Sequence, residues 1–104
     1  MNDKELTELA AKAAGKSGEW DGAVFVLDSP ASTDESSAWH PLHRDGDALR
    51  LATELDFNIY HAASSVFVED LDQGIEVAVG HEQNKFAATR RAIVIAAAQI
   101  GEAM

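Results

Sequence analysis

Residues 57–80 read FNIYHAASSVFVEDLDQGIEVAVG, and the alternation within them decides the fold class. Phe57, Ile59 and His61 alternate with Asn58 and Tyr60, and Val66, Phe67 and Val68 form a second extended run. Ile75, Val77 and Val79 then alternate with Glu76, Ala78 and Gly80. A period of two sends successive side chains to opposite faces, so the last run is a one-sided strand with its β-branched residues turned to a core. Ala62 to Ser64 and Asp70 to Gly74 are short enough for hairpin turns. Three strands joined by two such turns predict an antiparallel meander.

Helical spacing dominates on both sides. Leu6, Leu9, Ala10 and Ala13 recur at helical intervals, with Asn2 placed to cap, Glu5 three residues on and Gly15 as the stop. Phe86, Arg90, Ile93, Ala97, Ile100 and Met104 define one face of a last helix capped by Asn84, with Ala88, Arg91 and Glu102 on other faces. Its middle, Ala92 to Ala98, is apolar nearly all round, the profile of a helix packed on two sides or buried in a partner interface. Between these ends, Trp20 to Leu27 reads as one strand and Asp28 to Ser37, rich in Ser, Thr, Asp and Pro, as a mobile loop. Asp45-Gly46-Asp47 is a turn ending in a cap for a short helix carrying Ala48, Leu49, Leu51, Ala52 and Leu55. The predicted fold is α+β: an antiparallel sheet of three to four strands layered with about three helices, a single compact domain over 1–104 with a flexible loop at about 28–38.

The 104 residues carry a net charge of −10, with 46% apolar and 25% charged residues, an ordinary globular composition. Residues 1–16 are net neutral, 17–82 hold fourteen acids against two bases, and 83–104 are net +2. Such a field repels phosphates and anionic lipid, so direct nucleic-acid binding and membrane association are not expected. Cysteine is absent, which excludes disulfides and thiolate metal sites. The N-terminal stretch lacks the basic start and apolar run of a secretory signal, and no run approaches the ~20 apolar residues of a membrane span, so a cytoplasmic location is expected.

No constellation assembles into reactive chemistry. Glu69, Asp70, Asp72 and Glu76 bracket Gly74 with oxygen ligands, but the spacing fails the EF-hand pattern and fits a solvated hairpin turn. Carboxylates at alternate strand positions repeat at roughly 7 Å, near the spacing of backbone phosphates, so an acidic sheet face could act as a nucleic-acid decoy. Ala78 and Gly80, following Glu76 on its face, interrupt such a row. His40 and His43 would face one ion only if the segment were helical or tightly turned, which Pro41 is expected to oppose. His61 and His81 continue the apolar faces of two strands, where neutral, hydrogen-bonded rings are expected. The serines of the 28–38 loop show no nucleophile elbow, and no phosphate-cradling glycine pattern occurs. No catalytic, cofactor-binding or metal-binding residue is assigned, and an enzyme is not expected. Arg90 and Arg91, adjacent on the last helix, are expected to pair with acids of the sheet turns, the functional alternative being contact with an anion or acidic peptide.

Two blocks carry a resemblance. Trp39-His40-Pro41-Leu42 with Asp45-Gly46-Asp47-Ala48-Leu49-Arg50-Leu51-Ala52, and Ala88-Thr89-Arg90-Arg91-Ala92-Ile93-Val94 with Ala96-Ala97-Ala98-Gln99-Ile100-Gly101, resemble small phage and prophage accessory proteins of the ABA-sandwich and NinX-like kind. Leu9 to Gly15 is similar to their opening helix. Phe57 to Glu82 departs from the pattern, as does Arg44 where the family often has an acid. The resemblance implies a phage origin, a bacterial host cytoplasm and a sheet layered with helices; it brings no catalytic residues. Trp39, Leu42, Leu49, Leu51 and Ile93 would anchor the core of such a fold.

These readings together predict a non-enzymatic phage accessory protein that binds a host or phage protein, with Glu69, Asp70, Asp72, Glu76, Arg90 and Arg91 as candidate contact residues and the alanine-rich last helix as the seat of a homodimer. The alternatives are an acidic nucleic-acid mimic that inhibits a host defence system, of the anti-restriction or anti-CRISPR type, and, less favoured, a small metal protein or hydrolase.

Overall fold

The structure is a computed structural model that describes residues 1–28 and 38–104, so the expected loop falls almost entirely outside the described residues. The elements run α1 (Asp3–Ala13), β1 (Gly18–Asp21), β2 (Val24–Leu27), β3 (Ala38–Trp39), α2 (Asp45–Glu54), β4 (Asn58–His61), β5 (Ser65–Asp70), β6 (Ile75–Gly80) and α3 (Lys85–Ala103). The predicted meander is present: β4, β5 and β6 form one antiparallel sheet in chain order. Its inner rows are Ile59–Val68–Val77 and His61–Val66–Val79.

The α+β class holds, but the strands divide into two three-stranded sheets, the second being β1-β2-β3. The stretch Trp20 to Leu27, read as one strand, folds back on itself at Gly22-Ala23, with Asp21 paired to Val24. Gly22 has φ of 65°, the left-handed conformation that the first central residue of a two-residue hairpin loop requires. This small sheet leans on α1. Trp20 Nε1 donates to Glu8 Oε1 at 2.6 Å, and the Phe25 ring lies between Trp20 and Trp39, at centroid distances of 5.3 and 6.1 Å.

Helices α1 and α3 begin as their capping residues predict. Asn2 Oδ1 accepts from the Glu5 N–H at 2.8 Å, and Asn84 Oδ1 accepts from the Ala87 N–H at 3.0 Å. Helix α2 differs, because it already includes Asp45 and its N-cap, Arg44, supplies no side-chain cap. Asp47, expected to cap, is buried and turns back to accept the His40 N–H at 2.9 Å. Its carboxylate pins the exit of β3 to the first turn of α2.

Helix α3 lies at the centre, in contact with α1, α2 and the inner faces of β5 and β6. Ala88, Ala92, Ile93, Val94 and Ala96 to Ala98 are buried, so the all-round apolar middle is covered by the chain's own elements. The alanine-rich face expected to support a homodimer is thereby consumed inside the fold. Small residues permit this centrality: a Cβ at Gly101 would overlap the Leu9 carbonyl oxygen of α1. The predicted face is also partly misplaced, since Phe86 and Met104 are exposed while Ala88 is buried. Leu49, expected in the core, is 63% exposed; Trp39, Leu42, Leu51 and Ile93 are buried as anticipated. One hydrophobic cluster joins all three helices and both sheets. Among the described residues, no helix is long and apolar enough to cross a membrane.

Candidate functional site

The inner face of the meander is spent on α3, whereas its outer face presents two rows away from that helix. The register aligns Asn58, Glu69 and Glu76 in one outer row, and Tyr60, Phe67 and Ala78 in the next. Tyr60 and Phe67 stack with centroids 5.0 Å apart and planes 8° from parallel, and Tyr60 remains 45% exposed. Alongside the stack Glu69 stands directly opposite Glu76. Such cross-strand partners lie about 4.5–5.5 Å apart at Cβ, and like charges so placed destabilise the sheet. Among the described residues, neither carboxylate has an ion-pair partner. The phenol of Tyr60 feels this field: partial desolvation, then the charges of Glu76 and of Glu69, push its pKa above the ordinary 10.0.

The four acids expected to act as one set are divided by the fold. Glu69 and Glu76 share the outer face. Asp70 is buried and accepts from the Asp72 and Gln73 N–H groups at 3.1 and 3.3 Å, so its carboxylate is engaged in holding the β5–β6 turn. Asp72 is exposed at the tip of that turn. Arg90 and Arg91 pair with acids as expected, but the acids belong to helix N-termini rather than sheet turns. Arg90 reaches Asp45 Oδ1 at 2.6 Å and the Leu42 carbonyl at 2.9 Å, and Arg91 reaches Asp3 Oδ1 at 3.1 Å. Each arginine thus fastens α3 to the opening turn of another helix.

A groove of about 340 Å³ lies between α2, β4 and α3. Exposed Leu49 and Phe86 stand over Ala48, Ile59 and Ile93, with His61 also lining it. The histidines form two pairs. The His40 carbonyl accepts from the His43 and Arg44 N–H groups at 3.0 and 2.8 Å, so Pro41 stands second in a tight turn, where its fixed φ favours the turn. That corrects the expectation that Pro41 keeps these imidazoles apart: their rings meet edge to face, 5.8 Å between centroids. Burial, then the charges of His43 and Arg44, lower the His40 pKa below 6.5 against a smaller opposing pull from Asp47. His61 and His81 face each other, with Nδ1 of the first 3.1 Å from Nε2 of the second. Among the described residues, no group of three or more His, Asp or Glu is arranged to hold a metal ion.

No protein-family model, curated protein or solved structure matches this chain. The aromatic stack and the opposed glutamates were missed by sequence reasoning, because both depend on strand register. The available signal was parity: Tyr60 and Phe67 both fall on the polar side of their strands.

Proposed function

We propose that this chain is a non-enzymatic accessory protein of a phage or prophage that works inside a bacterial host cell by binding a partner protein, and that the outer face of β4–β6 docks a basic, arginine-bearing surface of that partner. The observation that carries the reading is the opposition of Glu69 and Glu76 beside the exposed Tyr60–Phe67 stack. Two carboxylates that repel each other and have no ion-pair partner among the described residues are relieved by an incoming guanidinium. Its plane stacks on an aromatic face and its fork matches a carboxylate, which makes arginine the best complement to this pairing of groups. The net charge of −10 adds attraction at longer range. The phage setting rests on the likeness of the Trp39–Ala52 and Ala88–Gly101 blocks to phage accessory proteins.

The nucleic-acid-mimic reading shares the basic partner but needs carboxylates strung along a strand. On this face Ser65 and Phe67 precede Glu69, and Ala78 and Gly80 follow Glu76, so aromatic contact supplies what a charge row would.

Affinity capture from phage-infected bacterial lysate, run in parallel with the wild-type chain, Tyr60→Ala, Glu76→Lys and Leu49→Asp as baits, tests the proposal. A protein held by the wild type and by Leu49→Asp but lost with both sheet variants supports it. Loss with Glu76→Lys alone, together with steep weakening in salt, supports the mimic instead. Loss with Leu49→Asp alone moves the contact to the groove, and no wild-type-specific protein at all counts against the reading.

A further inference from the structure

We propose that His61 and His81 form a site for one divalent transition-metal ion of the zinc, nickel and copper class, with water completing the coordination. His61 closes β4 and His81 directly follows β6, so the two rings flank the start of the central strand β5 on the sheet's inner side. Their facing nitrogens, Nδ1 of His61 and Nε2 of His81, are 3.1 Å apart, with ring centroids at 5.2 Å. Two imidazoles bound to one zinc at about 2.0–2.1 Å hold their nitrogens roughly 3.3–3.4 Å apart at a tetrahedral angle, and about 2.9 Å apart at a right angle. The observed separation lies between these limits. An ion therefore enters with only small movements of the rings.

The scaffold is already in place. The His81 N–H donates to the Ser64 carbonyl at 2.8 Å, the Ala62 N–H to the Ser65 carbonyl at 2.8 Å, and the His81 carbonyl accepts from the Asn84 N–H at 3.1 Å. The backbone of His81 and that of Ala62, the residue after His61, are thus tied to the same β4–β5 turn, and His81 is tied also to the residue that caps α3. His61 is exposed and His81 partly so, which leaves the remaining coordination positions open to water. Without metal, one nitrogen donates to the other. With metal, each presents a lone pair and carries its proton on the outer nitrogen, His61 Nε2 and His81 Nδ1. The His40–His43 pair offers no such geometry, since its rings meet edge to face. Two imidazoles favour copper over both nickel and zinc.

Calorimetric titration of untagged protein with Zn²⁺, Ni²⁺ and Cu²⁺ tests the site. The expected result is saturable binding of one ion per chain, weakened at least about tenfold by His61→Ala or His81→Ala and unchanged by His43→Ala. Imidazole NMR signals of the wild-type protein give a readout that needs no variant: those of His61 and His81 move on addition of Zn²⁺ while those of His40 and His43 stay. Absence of saturable binding, binding that survives His61→Ala, or movement confined to His40 and His43 would each overturn the proposal.

Discussion

The Arg90 guanidinium joins Asp45 Oδ1 at 2.6 Å while its Nε donates to the Leu42 carbonyl at 2.9 Å, so one side chain of the central helix holds both the first turn of α2 and the segment that leads into it. The arginine side chain is 17% exposed and the aspartate 71% exposed. The two partners are therefore unequal. Arg90→Ala leaves the Leu42 carbonyl without its donor and is expected to cost about 1–3 kcal/mol. Asp45→Ala removes a solvent-screened charge and is expected to cost no more than about 1 kcal/mol. Urea denaturation of both variants checks the order; equal losses would show that the bond to Leu42 contributes nothing.

Gly101 and Gly46 should respond to alanine with opposite signs. At Gly101 the new Cβ meets the Leu9 backbone, which no rotamer change can relieve, and a loss of about 1–3 kcal/mol is expected. At Gly46, in the first turn of α2, a Cβ meets nothing within 4 Å, and the gain in helix propensity is expected to stabilise by about 0.5–1 kcal/mol. Thermal melting of the two variants beside the wild type decides.

His40 should make the protein less stable in mild acid. Its folded-state pKa lies below 6.5, so the unfolded chain takes up this proton first. The stability it contributes is fully present above 6.5, and it is lost as pH falls through 6.5 toward the folded value. Denaturation midpoints measured from pH 7 to pH 5 should fall more steeply for the wild type than for His40→Gln. Parallel profiles would contradict the assignment.

Tyr60 offers a direct probe of the outer sheet face. Its phenol should ionise above 10.0 in a spectrophotometric titration, and Glu76→Gln should bring the midpoint down by removing a charge that opposes phenolate. A midpoint unmoved by Glu76→Gln would mean that the two side chains do not share the field described above.

Local pattern made several parts of the molecule legible. The alternation in residues 57–80 specified the meander, and Asn2 and Asn84 marked two helix starts, because both signals arise between residues close in the chain. The Gly22-Ala23 hairpin was equally local in its cause, but the β-branched and aromatic run around it masked the turn. The candidate site was only half visible: Glu69 and Glu76 stood out as acids, while Tyr60 and Phe67 passed as ordinary strand residues.

Periodicity states that a helix or strand has an apolar side; it does not state which neighbour covers it. Leu49 and Phe86 satisfied a helical pattern yet lie on the rims of a groove, while Ala88, assigned to another face, is buried. Arg90 meets Asp45 and Arg91 meets Asp3 across long stretches of chain, and His61 meets His81 across a strand that separates them. Glu69 opposes Glu76 because the β5–β6 turn sets the register. Composition and spacing decide which elements form, since those energies are local. The closing of α3 onto α1, α2 and the meander decides which side chains meet, because burial and pairing act through distances that the order of residues does not encode.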